Sequence, residues 1–211
     1  MGASRLMVRT YSAMPHLNGN LMVAVDLETT GDRPGYHEPV QIALVPLNSD
    51  LRPLAGVRPF YTNIKPLFKE RADRKATNVH GLDLDELVIN APSPDTVVAR
   101  MIHWFEQLDL PFEKNLVPLA HNWAFESGFL KAWLGTGLTQ KIFHFHPRDG
   151  MLLALSMNDK AVFRGEAAPF SSVSLVSLAK HFNITNARSH DAYHDCVTEA
   201  EVYRCLLLKD I

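Results

Sequence analysis

The chain has 211 residues, of which 46% are hydrophobic, and this length and composition predict one α/β domain with a substantial core rather than two small domains. Its 21 basic and 23 acidic residues give a net charge of −2, so no global basic field attracts nucleic acid, and a site for a polyanion must be local or must use metal ions. The sequence contains no apolar run of about 18 residues, and residues 1–20 lack the apolar core of a signal peptide. Cys196 and Cys205 lie in one predicted helix and cannot form a disulfide bond with each other. We therefore expect a cytoplasmic protein.

The first elements in chain order predict an antiparallel sheet. Residues 1–20 show no hydrophobic period, and we expect them to form an N-terminal extension or arm that precedes a single domain at 21–211. Apolar runs separated by Gly- and Pro-containing turns then predict three strands, at 21–30, 40–47 and 57–66. Such a series favours an antiparallel meander.

The remainder of the chain predicts alternating strands and helices. A polar segment of loops and short helices at 65–88 is followed by a helix at 92–110, which Ser93 or Asp95 could cap. We then expect a strand at 116–122, a helix at 124–135, a strand running into a helix at 141–157, a loop at 157–173, and helices at 174–182 and 190–210. This order predicts a mixed five-stranded sheet flanked by helices, in which parallel α/β units follow the meander, as in the ribonuclease H-like fold.

The first strand carries two acidic residues within a buried apolar pattern. Because strand side chains alternate, Asp26 and Glu28 share one face about 7 Å apart, and Val23, Val25 and Leu27 take the other. Two like charges side by side on such a strand are unfavourable. The pattern therefore predicts that a cation binds between them.

Further candidate ligands lie in two distant segments. Glu126 comes at the start of a predicted helix after a buried strand, and His190 stands five residues before Asp195. Five helical residues turn the chain by about 500°, so we expect His190 at the helix entrance and Asp195 in the first turns. Carboxylates without cysteine suit Mg²⁺ or Mn²⁺, and two such ions can support phosphodiester cleavage.

The order of these motifs resembles that of the DEDDh 3′→5′ exonucleases, a family that includes polymerase proofreading subunits and RNase T. The similar segments, which together span residues 21–208, are VAVDLETTG, VHGLD, AHNWAFESGFL, RDGMLLAL, SLVSLAKHFNI and HDAYHD. The sequence departs from the family at one acidic position, where Glu126 stands in place of the usual Asp. The additional methylene adds about 1.5 Å of reach.

The resemblance implies a mechanism and a substrate. In it, Asp26 bridges two Mg²⁺ or Mn²⁺ ions, Glu28 and Asp195 complete the first, Glu126 supports the second through water, and His190 accepts the proton of the attacking water. The implied partner is the 3′ end of single-stranded DNA or RNA, with a polymerase or another replication or repair protein as a further candidate. The residues expected to contact the substrate are Leu27, Thr29, Thr30, His80, Asn122 and Phe125.

Three alternatives stay open at this stage. The first is a module that binds 3′ ends with weakened turnover, which Glu126 favours. The second is a zinc hydrolase that uses His190 and His194, with further ligands from His144 and His146. The third is the same chemistry on short oligoribonucleotides or on a nucleotide signal. The basic segment at 65–75, with a local charge of +3, is either a solvated face or a phosphate-binding rim.

Overall fold

One mixed sheet of five strands organises the chain. The computed structural model describes residues 17–186 and 188–209, in which the strands lie in the order β3-β2-β1-β4-β5. The strands are β1 (Leu21–Thr29), β2 (Pro39–Pro46), β3 (Phe60–Asn63), β4 (Leu116–Ala120) and β5 (Arg148–Asp149). β2 pairs antiparallel with β1 and β3, whereas β4 pairs parallel with β1 and β5. The predicted mixed sheet, with a meander followed by parallel units, is confirmed.

Helices cover both faces of this sheet. The α-helices are α1 (Arg74–His80), α2 (Leu84–Asn90), α3 (Pro94–Gln107), α4 (Trp123–Leu134), α5 (Thr136–Ile142), α6 (Gly150–Phe163), α7 (Leu175–His181) and α8 (Ala192–Leu208). Ser93 caps α3, because its Oγ accepts a hydrogen bond from the Thr96 amide, while Gly135 ends α4. No helix among the described residues has the length and apolar character that crossing a bilayer requires.

The alternation of β1 divides the core into two layers. Val23, Val25 and Leu27 pack into a cluster that includes residues of α3 and α4, of which Phe129 is the largest fully buried side chain. Met22 and Ala24 face the other way and pack against α8, with Cys196 and Ala200 among their partners. Each large apolar side chain buried in this way contributes about 1.5–3 kcal/mol. The second face continues toward Asp26 and Glu28, so the strand that anchors the core also presents the two acids.

Three predicted elements differ in extent. The third strand starts only at Phe60, after Pro59, which has no N–H to donate to a sheet ladder. For the segment 141–157 the sequence predicts a strand that runs into a helix. In the structure Lys141 and Ile142 form the end of α5, and the strand is limited to the two residues of β5. The loop predicted from residue 157 is wrong at its start: α6 continues to Phe163, because Met157 and Ala161 bury one face of the helix, and the chain turns at Gly165, where φ is 77°.

The predicted arm falls largely outside the described residues, which exclude 1–16. Its last residues pack on the sheet: Leu17 is buried beside Met22, and the Asn20 side chain accepts a hydrogen bond from the Asn115 amide at 2.9 Å. Cys196 and Cys205 are free thiols, as expected.

Candidate active site

The carboxyl end of β1 presents two carboxyl groups on the face that α8 covers. Glu28 is buried and Asp26 is partly buried. The pairing of β1 with β2 shifts register between Glu28 and Thr29, so the regular ladder ends at this site. Burial, followed by the charges of Glu28 and Asp195, raises the pKa of Asp26. Burial, followed by the charge of Asp195, raises the pKa of Glu28 to about 8.

Asp195 reaches the same place from the first turn of α8. Its Oδ1 accepts a hydrogen bond from Asn186 Nδ2 at 2.5 Å, and its Oδ2 accepts one from the His190 amide at 2.9 Å. Burial raises the pKa of Asp195, and these hydrogen bonds act in the opposite direction. The carboxylate is therefore held in one orientation beside β1.

His190 lies immediately before α8, at the helix entrance where it is expected. Its backbone has φ of 67°, a left-handed conformation that is uncommon outside glycine and that occurs at functional sites. One potential ligand atom from each of Glu28, His190 and Asp195 lies within 4.8 Å of the others. The left-handed turn thus places the imidazole among carboxylates that are distant in sequence.

The loop that carries His190 is fixed through its neighbour, Asp191. Asp191 caps α8 by accepting hydrogen bonds from the amide and the Nδ1 of His194, at 3.2 and 2.8 Å. The Tyr61 hydroxyl donates a hydrogen bond to Asp191 at 2.7 Å, and Gln41 accepts one from the Ala192 amide at 2.8 Å. Strands β2 and β3 therefore position the His190 loop.

Glu126 approaches from the first turn of α4 and is 5% exposed. Burial, followed by the charges of Asp26 and Glu28, raises its pKa, while a hydrogen bond with the backbone of Leu27 acts in the opposite direction. Within the described residues its Oε2 is buried without a hydrogen-bond partner. A buried oxygen without a donor costs free energy unless a ligand binds it.

The donor chemistry of this group fits a divalent cation. Besides burial, the charges of neighbouring acids raise three pKa values: Glu28 and Asp195 act on Asp26, Asp195 acts on Glu28, and Asp26 and Glu28 act on Glu126. A positive charge among these carboxyl groups would offset that repulsion. Their ligand atoms are oxygens, which hard ions such as Mg²⁺ and Mn²⁺ prefer. The unpartnered Oε2 of Glu126 points to the same conclusion, because it is an acceptor that lacks a donor.

A fifth acid, Glu199 on α8, was not singled out from the sequence. It is only 2% exposed, and its two carboxylate oxygens accept hydrogen bonds from the amides of Val25 and His121, at 3.0 and 2.9 Å. Burial, followed by the charges of Asp26 and Glu126, raises its pKa. Its spacing of four residues from Asp195, on the same helix face, is the signal that could have revealed it.

Asp149 orders the loop between β4 and α4. It accepts hydrogen bonds from the amides of Asn122 and Trp123, at 3.3 and 2.8 Å, and from Leu152 at the start of α6. Asn122 has φ of 87°, so the chain turns sharply before entering the helix that carries Glu126. The Asp of the RDGMLLAL motif thus positions Glu126 through the backbone.

A cleft beside Glu28 contains most of the predicted substrate residues. Leu27, Thr29, His80 and Phe125 line it, together with Lys75. The Nδ1 of His80 accepts a hydrogen bond from the Leu82 amide, whereas its Nε2 is buried without a partner in the described structure. Burial, followed by the charge of His190, lowers the pKa of His80, whereas an interaction with the Thr29 backbone acts in the opposite direction. The Nε2 of His80 is therefore the ring atom that can serve a ligand in the cleft.

Two predicted substrate residues lie elsewhere. Thr30 has 0% exposure and does not line the cleft, and its hydroxyl links two loops by accepting a hydrogen bond from the Glu38 amide at 2.9 Å. Asn122 does not line the cleft and contributes through its backbone turn.

The geometry does not favour the predicted zinc alternative. His194 binds Asp191 and is not among the potential ligands that surround Glu28, and His144 accepts a hydrogen bond from the His146 amide at 3.1 Å. The one potential metal cluster found in residues 17–186 and 188–209 holds a single histidine, His190.

Comparison with known proteins identifies the family and the fold of the chain. Residues 23–203 match the model of the exonuclease family typified by RNase T. No curated protein matches the chain in sequence.

Several solved nuclease structures share the fold. Escherichia coli exonuclease I in complex with a dT13 oligonucleotide is 20% identical, with a TM-score of 0.66, over 89% of this chain and 41% of that one. Cell-death related nuclease 4 is 16% identical, with a TM-score of 0.66, over 90% and 64%. The nuclease domain of 3′hExo, a DEDDh family member bound to rAMP, is 18% identical, with a TM-score of 0.61, over 90% and 92%. The chain thus matches about two fifths of the length of exonuclease I.

Proposed function

This chain belongs to the exonuclease family, as its motifs predicted, and from that premise we propose that it is a metal-dependent 3′→5′ exonuclease. It would hydrolyse phosphodiester bonds from the 3′ end of single-stranded nucleic acid and release nucleoside 5′-monophosphates. The observation that carries the proposal is the proximity of His190 and Asp195 to Glu28, which lines a cleft, together with the electrostatic coupling of Asp26, Glu28 and Glu126.

The carboxylates would hold the metal ions. Asp26, Glu28 and Asp195 would bind one Mg²⁺ or Mn²⁺, with Asp26 shared by a second ion that Glu126 supports. Bound divalent ions lower the pKa of water and offset the negative charge that develops on the phosphoryl group and on the leaving oxygen. The rigid placement of the ligands on β1, α4 and α8 means that little reorganisation is needed when the cations bind.

His190 would accept the proton of the attacking water. An imidazole can accept a proton from water, and the hydrogen bond from the His190 amide to Asp195 fixes the backbone that carries the ring. As the water oxygen bonds to phosphorus, the bond from phosphorus to the 3′ oxygen breaks. One proton passes from the water to His190, and the 3′ oxygen leaves as an alkoxide that takes up a proton from solvent to become the new 3′ hydroxyl.

The cleft residues would position the last nucleotide. The free Nε2 of His80 can hydrogen-bond to a sugar or phosphate, and Phe125 and Leu27 offer apolar surface to a base. Lys75 at the same cleft supplies a positive charge for a phosphate. A single-stranded substrate agrees with the oligonucleotide bound in the exonuclease I structure, and a nucleoside monophosphate product with the rAMP bound to 3′hExo.

The second candidate is a 3′-end-binding module with weak turnover. The observation that favours it is the Glu at position 126, whose buried carboxylate has one oxygen without a hydrogen-bond partner among the described residues. Tight binding of 3′ ends without cleavage would support it over the exonuclease.

One assay separates the candidates. Single-stranded DNA and RNA carrying a 5′ label are incubated with the protein and Mg²⁺, Mn²⁺, Zn²⁺ or EDTA. We expect a ladder that shortens from the 3′ end with Mg²⁺ or Mn²⁺ and that is absent with EDTA and with Asp26→Ala. Cleavage by Asp26→Ala at the parent rate would overturn the proposed mechanism.

A further inference from the structure

A surface patch near the cleft combines two arginines with two exposed aromatic rings. Tyr36 and Phe68 are 44% and 42% exposed. The guanidinium carbon of Arg33 lies 4.4 Å from the centroid of the Tyr36 ring, and that of Arg71 lies 3.9 Å from the Phe68 ring and 5.4 Å from the Tyr36 ring. These four residues form the arginine–aromatic patch.

Neither guanidinium pairs with an acid in the described part of the chain. The salt bridges of the described residues involve neither Arg33 nor Arg71, whereas the neighbouring Lys69 pairs with Asp85. A guanidinium that stacks on a ring keeps the N–H groups at its edge free, and these suit the two oxygens of a phosphate. The patch therefore offers cationic donors that no group within the described chain uses.

The patch rests on a rigid base. The amide of Arg33 donates a hydrogen bond to His37 Nδ1 at 3.0 Å, and His37 packs so closely on Gly31 that a Cβ there would lie 2.4 Å from the ring. On the other side, the Glu38 carboxylate accepts hydrogen bonds from the amides of Leu67 and Phe68, at 3.0 and 2.8 Å. The rings and cations are thus preorganised, which lowers the entropic cost of binding a ligand.

The same loops connect the patch to the candidate active site. Thr30 follows β1 directly, and it accepts hydrogen bonds from the amides of Glu38 and Asp73, at 2.9 and 2.7 Å. Gly31 and Asp32, which directly precede Arg33, line the cleft that holds Glu28, while Arg71, Tyr36 and Phe68 line a second depression. The loop that follows β1 therefore runs from the cleft into the patch.

We propose that the arginine–aromatic patch binds the single strand on the 5′ side of the terminal nucleotides. This inference rests on the proposed exonuclease function, because it assumes that the 3′ end occupies the cleft. Rings and guanidinium planes stack on any base, and guanidinium edges bind phosphates, so the patch would grip the strand without selecting its sequence. It would make affinity depend on oligonucleotide length.

The test combines Arg33→Ala with Arg71→Ala. Binding of fluorescent oligothymidylates of three and of about twelve nucleotides is measured by anisotropy in EDTA, and kcat and KM are measured with Mg²⁺. We expect roughly tenfold weaker binding and a similarly raised KM for the longer strand only, with kcat unchanged. The log–log dependence of affinity on salt should become shallower by about 1.4, because each lost phosphate contact accounts for about 0.7.

The control pairs Arg100→Ala with Arg164→Ala, which removes two exposed arginines from α3 and from the end of α6. The control should match the parent protein, and Arg33→Lys/Arg71→Lys should restore most of the salt dependence but not all of the affinity. Equal affinity and equal salt dependence in the patch variant and in the parent would overturn the inference. The exposed rings would then be candidates for contact with a protein partner. If the parent cleaves no oligonucleotide, the proposed function fails, and the binding measurement still decides the role of the patch.

Discussion

The carboxylate of Glu199 accepts a hydrogen bond from the Val25 amide at 3.0 Å, at the point where β1 stops pairing with β4. The last paired residues of β1 and β4 are Ala24 and Leu119, and the other oxygen of Glu199 accepts from the His121 amide, just beyond β4. Beyond the last β1–β4 pair, the Glu199 carboxylate therefore supplies the hydrogen-bond acceptor that a neighbouring strand would otherwise provide. Asp26 and Glu28 lie in this part of β1. Glu199 thus holds the backbone directly before Asp26 and the start of the loop that leads into α4, the helix that carries Glu126.

We expect Glu199→Ala to destabilise the fold and to weaken metal binding. The two backbone amides would lose their acceptor, which should lower the free energy of unfolding by about 1–3 kcal/mol for each. Glu199→Gln should also destabilise the fold, because its side-chain NH₂ group would face one of these N–H donors. Urea unfolding and Mn²⁺ titration measure the two effects. Glu201→Gln is the control, since Glu201 forms a surface pair with Arg204 on the same helix and should change stability by less than about 1 kcal/mol. Unchanged Mn²⁺ affinity in a folded Glu199→Ala protein would contradict the positioning role.

His190→Ala should lower kcat by about 100- to 10,000-fold and leave KM and Mn²⁺ affinity close to those of the parent. The reason is that the imidazole accepts a proton, while the carboxylates hold the metal. Steady-state kinetics and a metal titration separate these effects. His103→Ala, on the exposed face of α3, serves as the matched histidine control. A fall in metal affinity as large as the fall in kcat would instead make His190 a ligand.

Glu126→Ala should reduce turnover by about 100-fold, whereas Glu126→Asp should retain or raise it. Either acid offers a carboxylate, and the shorter one restores the side chain that the family carries at this position. The rate of 3′-end shortening with Mg²⁺ measures both. If Glu126→Ala turns over at the parent rate, Glu126 has no part in the site.

The parts of this molecule that follow local rules were predictable from the sequence. Alternation along β1 placed Asp26 and Glu28 on one face, and helix geometry placed His190 outside α8. Long-range packing was not predictable in the same way. Nothing local to Thr30 indicates that its hydroxyl is used by Glu38, and Glu199 reads as an ordinary helix acid until β1 and β4 are seen to separate around it.

The arginine–aromatic patch also depends on long-range contacts that the sequence does not reveal. The basic segment 65–75 was ambiguous between a solvated face and a phosphate rim, because charge patterns do not reveal partners. In the structure Lys69 pairs with Asp85, while Arg71 stacks on Phe68 without an acid. Tertiary contacts thus divide one charge cluster into a neutralised part and a free part.

Removing divalent metal should make the protein less stable as the pH rises. Burial and the charge of Asp195 raise the pKa of Glu28 from 4.5 to about 8, so the stability that this group contributes is fully present below about pH 4.5 and is lost as the pH rises through about 8. The pKa values of Asp26 and Glu126 shift in the same direction. In EDTA we expect a loss on the order of a few kcal/mol between about pH 5 and about pH 9, which Mn²⁺ should reverse because it binds the deprotonated carboxylates. Thermal melts at both pH values measure this, and Glu28→Gln should flatten the metal-free pH dependence. A metal-free protein that melts at the same temperature at both pH values would show that the pKa values of these buried carboxyl groups are not raised in the folded state.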